Sequence, residues 1–386
     1  MTTTDMQSAE NKTQKSLGLY IHIPFCRQKC LYCDFCSVAR PSGELVDAYL
    51  NSLLECIKEW SEKARGHVVD TVYIGGGTPT TLTARQLSSV IDSCVKNYSF
   101  SQSVEISCEC NPATASGEYF SELLRAGINR LSIGVQSADD EELRALGRIH
   151  DFRGFVSTYN EARAAGFDNI SVDLMYGIPL QTATSFENTL DKIIDLSPEH
   201  ISAYCLKVEE NTPFGKMAER LVLPDEDAQY EMYKLCVKRL AEAGYARYEI
   251  SNFARKGRES RHNLRYWLGE DYLGFGAAAH SYFGGERFSF APNITSFAKG
   301  EFGLSEREKI EEKERLSEFV MLRMRLAEGV IFEEFERNFG RSFYDEFPTL
   351  RRFESTGHIV NDGRSCRFGD EGFFVSSYIL SEILDF

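Results

Sequence analysis

Short β-rich runs alternate with longer amphipathic stretches over much of the chain, and this alternation constrains the fold more than any other feature. The β-rich runs are residues 19–23, 71–74, 104–108, 130–135, 169–174 and 200–206, and the helical patterns between them are 44–63, 84–97, 117–126, 151–165 and 186–195. Repeated β–α units predict a parallel sheet. Because six units fall short of the eight in a complete TIM barrel, we predict an α/β fold: a partial, open, TIM-like (β/α)6 barrel with its functional face at the C-terminal strand ends.

Polar residues occupy alternate positions in three of these runs. The positions are held by Ser107 and Glu109, by Ser132, Gly134 and Gln136, and by Ser171 and Asp173. Successive side chains of a strand face opposite sides, so Glu109, Gln136 and Asp173 are predicted to point into one cavity. The alternative is that they are ordinary polar residues at loop entries, but their matching positions favour the cavity.

The pattern changes after residue 245. An added strand is predicted near 245–251, followed by a basic, aromatic loop at 255–267 and a Gly/Ala-rich segment at 273–285. Helices near 311–327, 332–338 and 343–355, and a hairpin around 361–363 and 366–375, then predict a small winged-helix-like α+β domain. We therefore divide the chain into a disordered lead (1–16), the partial barrel (17–250), a connecting region (251–300) and the C-terminal domain (301–386).

The charge balance limits the classes of partner. The 386 residues include 43 basic and 58 acidic side chains, a net charge of −15, which argues against a nucleic-acid or anionic-membrane binder. Residues 301–386 alone hold 19 acidic and 12 basic side chains, so the winged-helix-like domain is expected to cover or dock rather than to bind DNA. With no apolar signal core and no long apolar run, the protein is predicted to be cytoplasmic.

A cysteine-rich loop follows the first predicted strand. Cys26, Cys30 and Cys33 have the spacing C-x3-C-x2-C, and Cys36 lies close behind them. Thiolates this close on one loop can converge on a metal centre, and an iron–sulfur cluster with three ligands leaves one iron open. Zinc is the main alternative, and four unligated thiols are another. Structural zinc sites usually combine two separated pairs, and no second C-x2-C pair occurs outside this loop.

The amino-acid sequence around this loop resembles a known family. The C-x3-C-x2-C loop is similar to the signature of the radical S-adenosylmethionine (radical SAM) superfamily. Residues 20–35 resemble, more narrowly, the HemN/HemW family of oxygen-independent coproporphyrinogen III dehydrogenases and related heme chaperones. The resemblance extends over nearly the whole chain from Leu19 onwards, through residues 75–79, 109–112, 132–136, 146–150 and 173–179.

This resemblance implies the cofactors and their ligands. Cys26, Cys30 and Cys33 would ligate a [4Fe–4S] cluster, whose open iron SAM would chelate and which, when reduced, would cleave SAM to a deoxyadenosyl radical. The residues implied around SAM are Tyr20, Tyr32, Gly76, Gly77, Thr78, Glu109, Gln136, Arg148 and Asp173. Carboxylates suit the positive charge and hydroxyls of SAM, and an arginine suits its carboxylate.

Two features distinguish the dehydrogenases from the heme chaperones within the family. The dehydrogenases carry a further cysteine where this chain has Phe35, and here a cysteine comes one place later, at Cys36. The second feature is the segment 261–267, which is similar to a heme-binding motif. Its candidate heme contacts are His262, Asn263, Tyr266 and Trp267, and its candidate propionate partners are Arg255, Arg258, Arg261 and Arg265. Histidine is a common axial ligand of heme iron, and aromatic rings offer flat apolar surface. The alternative is a loop that merely covers the barrel.

These features predict a radical-SAM-type heme chaperone, which binds heme as cargo and transfers it to acceptor hemoproteins. The alternative is an oxidoreductase that decarboxylates coproporphyrinogen III to protoporphyrinogen IX, so its ligand would be a porphyrinogen. A zinc-stapled interaction protein is a third hypothesis. The sequence leaves open whether the protein is an enzyme that cleaves SAM, which hemoprotein accepts the heme and whether the chain forms a homodimer.

Overall fold

The computed structural model describes residues 15–112 and 114–384 of the chain. The strands are β1 (Lys15–Ile23), β2 (Phe25–Cys26), β3 (Val38–Ala39), β4 (His67–Gly76), β5 (Ser99–Cys110), β6 (Arg130–Gln136), β7 (Ile170–Tyr176), β8 (His200–Cys205), β9 (Ala246–Arg247), β10 (Asn252–Ala254), β11 (Tyr272–Phe275), β12 (His280–Phe283), β13 (Glu286–Phe290), β14 (Leu304–Lys309), β15 (Val330–Ile331), β16 (Ile359–Asn361) and β17 (Ser365–Phe368). Of the predicted lead, residues 1–14 lie outside the described residues, whereas Lys15 and Ser16 belong to β1 and are not disordered.

Helices cover the outside of the sheet and form most of the C-terminal part. They are α1 (Gly43–Ser61), α2 (Ala84–Asn97), α3 (Gly117–Arg125), α4 (Asp140–Ala145), α5 (Phe152–Ala165), α6 (Ala183–Leu196), α7 (Pro213–Lys216), α8 (Glu226–Glu242), α9 (Arg261–Trp267), α10 (Ile294–Ala298), α11 (Glu312–Arg323), α12 (Phe332–Phe339), α13 (Phe343–Glu346), α14 (Leu350–Glu354), α15 (Asp370–Phe374) and α16 (Ser376–Ser381). None of the helices in the described part of the chain has the length and apolar character needed to cross a bilayer.

Parallel pairing of the six predicted strands is confirmed. The order β1-β4-β5-β6-β7-β8 forms the centre of a twelve-stranded sheet, and each neighbouring pair is parallel. The helices between these strands start where their caps predict. At α2, for example, the Thr83 side chain accepts a hydrogen bond from the Gln86 backbone while the Gln86 side chain bonds back to Thr83. The α/β prediction, with its open parallel barrel, is therefore correct.

The sheet extends beyond the six strands on both edges. Strand β11 pairs in parallel with β1, and β12, β13 and β14 continue from it as antiparallel neighbours. At the other edge β10 and β9 pair antiparallel with β8. Residues 251–300, expected to connect two domains, thus supply β10 to β13. Gly274 permits the tight hairpin, since a Cβ there would lie 2.2 Å from the carbonyl oxygen of His280.

The C-terminal part combines helices α11 to α14 with a small antiparallel sheet in the order β15-β17-β16. The predicted hairpin exists, but its second strand ends at Phe368, and the residues expected to continue it form α15 instead. Asp370 and Glu371 stand in the first turn of α15, where acidic side chains favour a helix N-terminus. Buried residues of this part, such as Phe335 and Leu380, belong to the same hydrophobic core as the barrel.

Candidate functional site

A cavity of about 590 Å³, here called the central cavity, occupies the inside of the open barrel. Residues from the cysteine loop and from β4 to β8 line it. The sequence-predicted residues among its lining are Cys26, Cys30, Tyr32, Cys33, Gly76, Gly77, Thr78, Glu109, Gln136, Arg148, Asp173 and Asn263. The structure therefore brings the three thiols, the two carboxylates and the arginine together around one space.

The cysteine loop is fixed to its surroundings by main-chain contacts. The short strands β2 and β3 pair at its two ends. Between them, the Leu31 amide donates to the carbonyl of Leu146 at 3.1 Å, and the Leu31 carbonyl accepts from the Phe214 amide at 3.0 Å. Leu31 and Tyr32 also pack against a separate apolar cluster that includes Leu146 and Phe214. These contacts hold the thiols at the C-terminal end of the barrel.

Two of the three thiols lie beside hydrogen-bond donors. The Thr78 hydroxyl donates to Cys26 Sγ at 3.7 Å, and Arg148 Nη1 donates to Cys30 Sγ at 3.5 Å. Burial raises the pKa of Cys26 and Cys33 above the ordinary thiol value, so a bound cation would have to displace their protons. Donors aimed at sulfur are suited to thiolate ligands.

The spacing of the thiols bears on the kind of metal centre. Within residues 15–112 and 114–384, no three His, Cys, Asp or Glu side chains are grouped closely enough to hold a metal ion. A structural zinc ion needs its four ligands to converge at about 2.0–2.3 Å from one point. An iron–sulfur cluster distributes its thiolates over different irons. Three cysteines in one cavity lining match the ligand set of a cluster with one open iron, whereas a structural zinc ion needs four ligands.

Cys36 is oriented away from these thiols. Its Sγ points towards the Pro292 carbonyl at 3.9 Å, and its own carbonyl accepts a hydrogen bond from His22 Nε2 at 2.8 Å. Cys36 does not belong to the lining of the central cavity, whereas the neighbouring Phe35 does and is 65% exposed.

Two glycines let β4 end against the cysteine loop. Gly76 has φ 110°, and a Cβ there would lie 2.5 Å from the His22 ring. A Cβ at Gly77 would lie 2.8 Å from the backbone of Phe25. Larger residues would displace the first cysteine of the loop, since Phe25 immediately precedes Cys26.

The carboxylates of the cavity have different surroundings. Glu109 accepts from the Tyr73 hydroxyl at 3.1 Å and from the Gly76 amide at 3.0 Å. Burial and the nearby Asp173 raise the pKa of Glu109 to about 7. Asp173 accepts from the Ser132 and Ser202 hydroxyls at 2.9 Å and 2.8 Å. The cavity therefore gains a second negative charge as the pH rises through neutrality.

Arg148 and Gln136 lie at β6, the strand between β5 and β7. Arg148 Nη2 donates to the carbonyl of Gly134 and, at 3.3 Å, to Asn111 Oδ1. Gln136 has φ 74° and folds its amide over Gly134, where a Cβ would lie 2.7 Å from Gln136 Nε2. Both residues thus depend on the glycine of β6.

The two predicted tyrosines occupy different layers. Tyr32 lines the central cavity, next to Cys30 and Cys33, and burial raises its pKa. Tyr20 lies one layer behind: its ring stacks on Tyr73, with centroids 6.3 Å apart, and its hydroxyl lies 3.0 Å from His22 Nδ1. Tyr73 stands between Tyr20 and the cavity.

The four residues of the predicted heme motif all lie on helix α9, which places them in different surroundings. His262 is fully buried, with Nδ1 2.9 Å from the Thr71 hydroxyl and Nε2 2.9 Å from the Tyr266 hydroxyl. Both ring nitrogens therefore have partners, and iron ligation would require one of these bonds to break. Trp267 accepts from Arg323 through its carbonyl at 2.8 Å. Asn263 alone among the four lines the central cavity in the described structure.

The four arginines considered for heme propionates all have protein partners. Arg265 is 2% exposed and pairs with Asp70 and Glu270, and Arg261 pairs with Asp70 at 3.7 Å. Arg258 lies 3.6 Å from Asp168, and Arg255 Nε donates to the Pro198 carbonyl. None of the four lines the central cavity in the described part of the chain, so their pairing with heme propionates stays a prediction.

Sequence reasoning missed several residues of the cavity. The most notable is Arg130, the first residue of β6, which is 1% exposed and lines the central cavity. Tyr73, Asn111 and Tyr204 line it as well. The signal for Arg130 was present, since it shares the alternate positions of Ser132, Gly134 and Gln136.

An open parallel barrel with three cysteines at its C-terminal end defines a radical SAM protein, and the family comparison agrees. Residues 20–193 match the Radical SAM superfamily, and residues 310–375 match the HemN C-terminal domain. More narrowly, the chain belongs to the family of the heme chaperone HemW. It is 37% identical to the Bacillus subtilis protein "Heme chaperone HemW", over 90% of this chain and 93% of that one.

Two further relatives support the same family and fold. The Escherichia coli protein "Heme chaperone HemW" is 37% identical over 83% of this chain and 85% of its own length. The structure of coproporphyrinogen III oxidase (HemN) from Escherichia coli superposes with a TM-score of 0.83 at 23% identity, covering 95% of this chain and 90% of that chain. The HemN likeness speaks for the fold. Membership of the superfamily implies a [4Fe–4S] cluster and SAM, and the donor set of the cavity fits both.

Proposed function

We propose that this protein is a radical-SAM-type heme chaperone, which binds heme and passes it to an acceptor hemoprotein. The observation that carries the proposal is the 37% identity to a heme chaperone over nine tenths of the chain. The decarboxylating oxidoreductase has weaker support, because the likeness to HemN is at 23% identity.

Within this function we assign Cys26, Cys30 and Cys33 to the cluster. When bound, the cluster supplies an electron-transfer centre with one open iron. Thr78 and Arg148 stabilise the thiolates by donating hydrogen bonds to sulfur.

The SAM site we propose lies next to the thiols. Glu109 and Asp173 supply negative charge for the cationic sulfonium and ammonium groups, and Gln136 and Tyr32 provide polar contacts at the same wall. Gly76, Gly77 and Thr78 close the end of β4 against the loop, and Tyr20 supports the wall from behind through Tyr73. Arg148 offers a cation to the carboxylate of SAM.

The compartment we propose is the cytoplasm. None of the eleven cysteines forms a disulfide, and unpaired cysteines persist in a reducing compartment. The proposed partner is a protein rather than a nucleic acid, because the net charge of −15 would repel a phosphate backbone.

The test is an anaerobic titration of the cluster-loaded full chain with heme, followed by addition of an apo-hemoprotein. Saturable binding, and transfer faster than release of heme into buffer, are expected. In a parallel reaction with coproporphyrinogen III, SAM and a strong reductant, the mass of the tetrapyrrole should stay unchanged. Loss of two carboxyl groups would instead make the protein the decarboxylating oxidoreductase.

A further inference from the structure

Arg130 is a buried cation without a protein partner. It is among the largest fully buried side chains, and its Nε has no hydrogen-bond partner. No hydrogen bond or ion pair reaches its guanidinium from residues 15–112 or 114–384, although Glu109 and Asp173 line the same cavity. A buried arginine is normally paired, because an unpaired buried charge is strongly unfavourable.

The buried histidines and tyrosines on which Arg130 acts carry no charge that would compensate it. Burial lowers the pKa of His262 to about 3, with Arg265 and Arg130 adding to the shift, and burial together with Arg130 lowers the pKa of His200 well below its usual value. Both therefore stay neutral near pH 7. Tyr73 and Tyr248, the tyrosines whose pKa its charge lowers, remain neutral there too, because burial raises their pKa overall.

Arg130 lies at the opposite end of the central cavity from the thiols. It begins β6, four residues before Gly134, whose carbonyl contacts Arg148, and four residues of strand span about 13 Å. Asn263 lines this end from helix α9. Helix α9 lies at the amino-terminal side of the strands, where His262 contacts Thr71. We call this end, formed by Arg130 and Asn263, the cavity floor.

Three hydroxyls that line the cavity already have partners. The Ser132 and Ser202 hydroxyls donate to Asp173, and the Tyr73 hydroxyl donates to Glu109. The Arg130 guanidinium and the Asn263 amide are available to bind a ligand. A guanidinium takes a carboxylate through two parallel hydrogen bonds, and an amide adds a further donor.

We propose that the cavity floor is a carboxylate-binding subsite, in which Arg130 and Asn263 hold one carboxylate of the ligand that enters the central cavity. The inference rests on the proposed function, in which the ligand with free carboxylates is heme, through its propionates. SAM, whose single carboxylate is assigned above to Arg148 at the thiol end, is the competing source of the same chemical group, and the experiment separates the two.

The experiment compares heme with heme dimethyl ester, which lacks free carboxylates, on the cluster-loaded full chain. We expect the wild type to bind heme about ten- to a hundredfold more tightly than the ester, the range of a charge-assisted hydrogen-bonded pair. Arg130→Gln should bind both ligands with the affinity of the ester. Arg337→Gln, which alters an exposed pair with Glu333, is the matched control and should keep the wild-type difference.

Two further variants keep the test decisive if Arg130→Gln does not fold. Arg130→Lys retains the charge without the planar fork and should restore part of the difference. Asn263→Ala, on the surface of the cavity, should weaken heme binding by about two- to tenfold without affecting the ester. Far-ultraviolet circular dichroism and iron content confirm that each variant is folded and loaded.

SAM affinity, measured on the same proteins, identifies the source of the carboxylate. If Arg130→Gln binds SAM more weakly but leaves the difference between heme and its ester unchanged, the subsite exists and its carboxylate comes from SAM. Unchanged affinities for both ligands would overturn the proposal. If the wild type binds no heme, the proposed function fails, and the SAM measurement alone then decides whether the subsite exists.

Discussion

Glu109 is the residue whose ionisation sets the charge of the central cavity near neutral pH. Its carboxyl is buried and close to Asp173, and both effects raise its pKa to about 7. The hydrogen bonds from Tyr73 and the Gly76 amide act in the opposite direction and limit the rise. A cationic ligand placed here would favour the ionised form and would release a proton on binding at lower pH.

We therefore expect the affinity for SAM to fall as the pH is lowered below about 7. Protonation of Glu109 removes one of two carboxylates that face the cation, so the dissociation constant should rise by at most about tenfold per pH unit. Isothermal titration of cluster-loaded protein between about pH 6 and pH 8 measures this. Glu109→Gln should bind more weakly with a flatter profile, and an identical profile in that variant would assign the pH dependence elsewhere.

A second prediction at this scale concerns Cys36. Because its Sγ points to the Pro292 carbonyl and lies outside the lining of the central cavity, Cys36→Ala should retain the full iron and sulfide content. Cys33→Ala is the matched variant on the same loop and should lose the cluster. Iron and sulfide analysis with visible absorbance after anaerobic reconstitution compares them. Loss of iron in Cys36→Ala would show that the three-ligand assignment is incomplete.

Helix α9 closes the barrel at the side opposite the cysteine loop. Its first two amides donate to Glu105 on β5, and Arg265 pairs with Asp70 on β4. His262 packs between Thr71 and Tyr266 and stacks on Tyr73, with ring centroids 5.5 Å apart. The motif thereby supports the cavity wall from below.

His262→Ala is expected to lower the free energy of unfolding by about 2–4 kcal/mol near pH 7, because it leaves a cavity and two unpaired hydroxyls. The wild type should lose part of this advantage as the pH falls from about 6.5. The unfolded histidine then takes up a proton, which the folded one accepts only near its lowered pKa of about 3. Urea denaturation at several pH values measures both effects.

His280→Ala, at an exposed histidine on β12, is the matched control and should change stability little. Equal stability of His262→Ala and the wild type, together with loss of heme binding, would contradict the structural role and favour His262 as an iron ligand.

Local pattern explains which elements were predictable from sequence. The six central strands and helix α2 follow from periodicity and capping, which are properties of neighbouring residues. Strand β11 was missed because its parallel partner, β1, lies far away in sequence and its own apolar run is short and broken by Gly274. Long-range pairing of this kind leaves no local signal.

The residues of the candidate site differ in the same way: some follow from local pattern, and others depend on distant residues. Glu109, Gln136 and Asp173 follow from strand alternation, because each points inwards at a strand end. His262 has the residue type of a heme ligand, but its engagement depends on Thr71, a residue on a distant strand. The lack of a partner for Arg130 among the described residues is likewise a property of the whole barrel interior, which no single segment encodes.

At the scale of the whole molecule, the C-terminal part is joined to the barrel by both polar and apolar contacts. Arg247, the last residue of β9, donates to the Tyr233 hydroxyl and to Asp370 Oδ1, each at 2.6 Å, and its guanidinium stacks over the Phe373 ring at 3.9 Å. Tyr233 also donates to the Asp370 carbonyl at 2.9 Å. Since one hydrophobic core includes residues of both parts, the two parts should unfold together.

Arg247→Ala tests this coupling. We expect a single calorimetric transition in the full chain. The variant should lose about 1–3 kcal/mol of the free energy of unfolding, because the side chain of Arg247 is 11% exposed and makes two hydrogen bonds and a cation–π contact. Arg337→Ala, which removes an exposed pair within α12, should cost at most about 0.5 kcal/mol. A separate early transition that responds to Arg247→Ala while the main transition stays fixed would mean that the C-terminal part unfolds on its own. Its contacts with the barrel would then be too weak to couple the two parts.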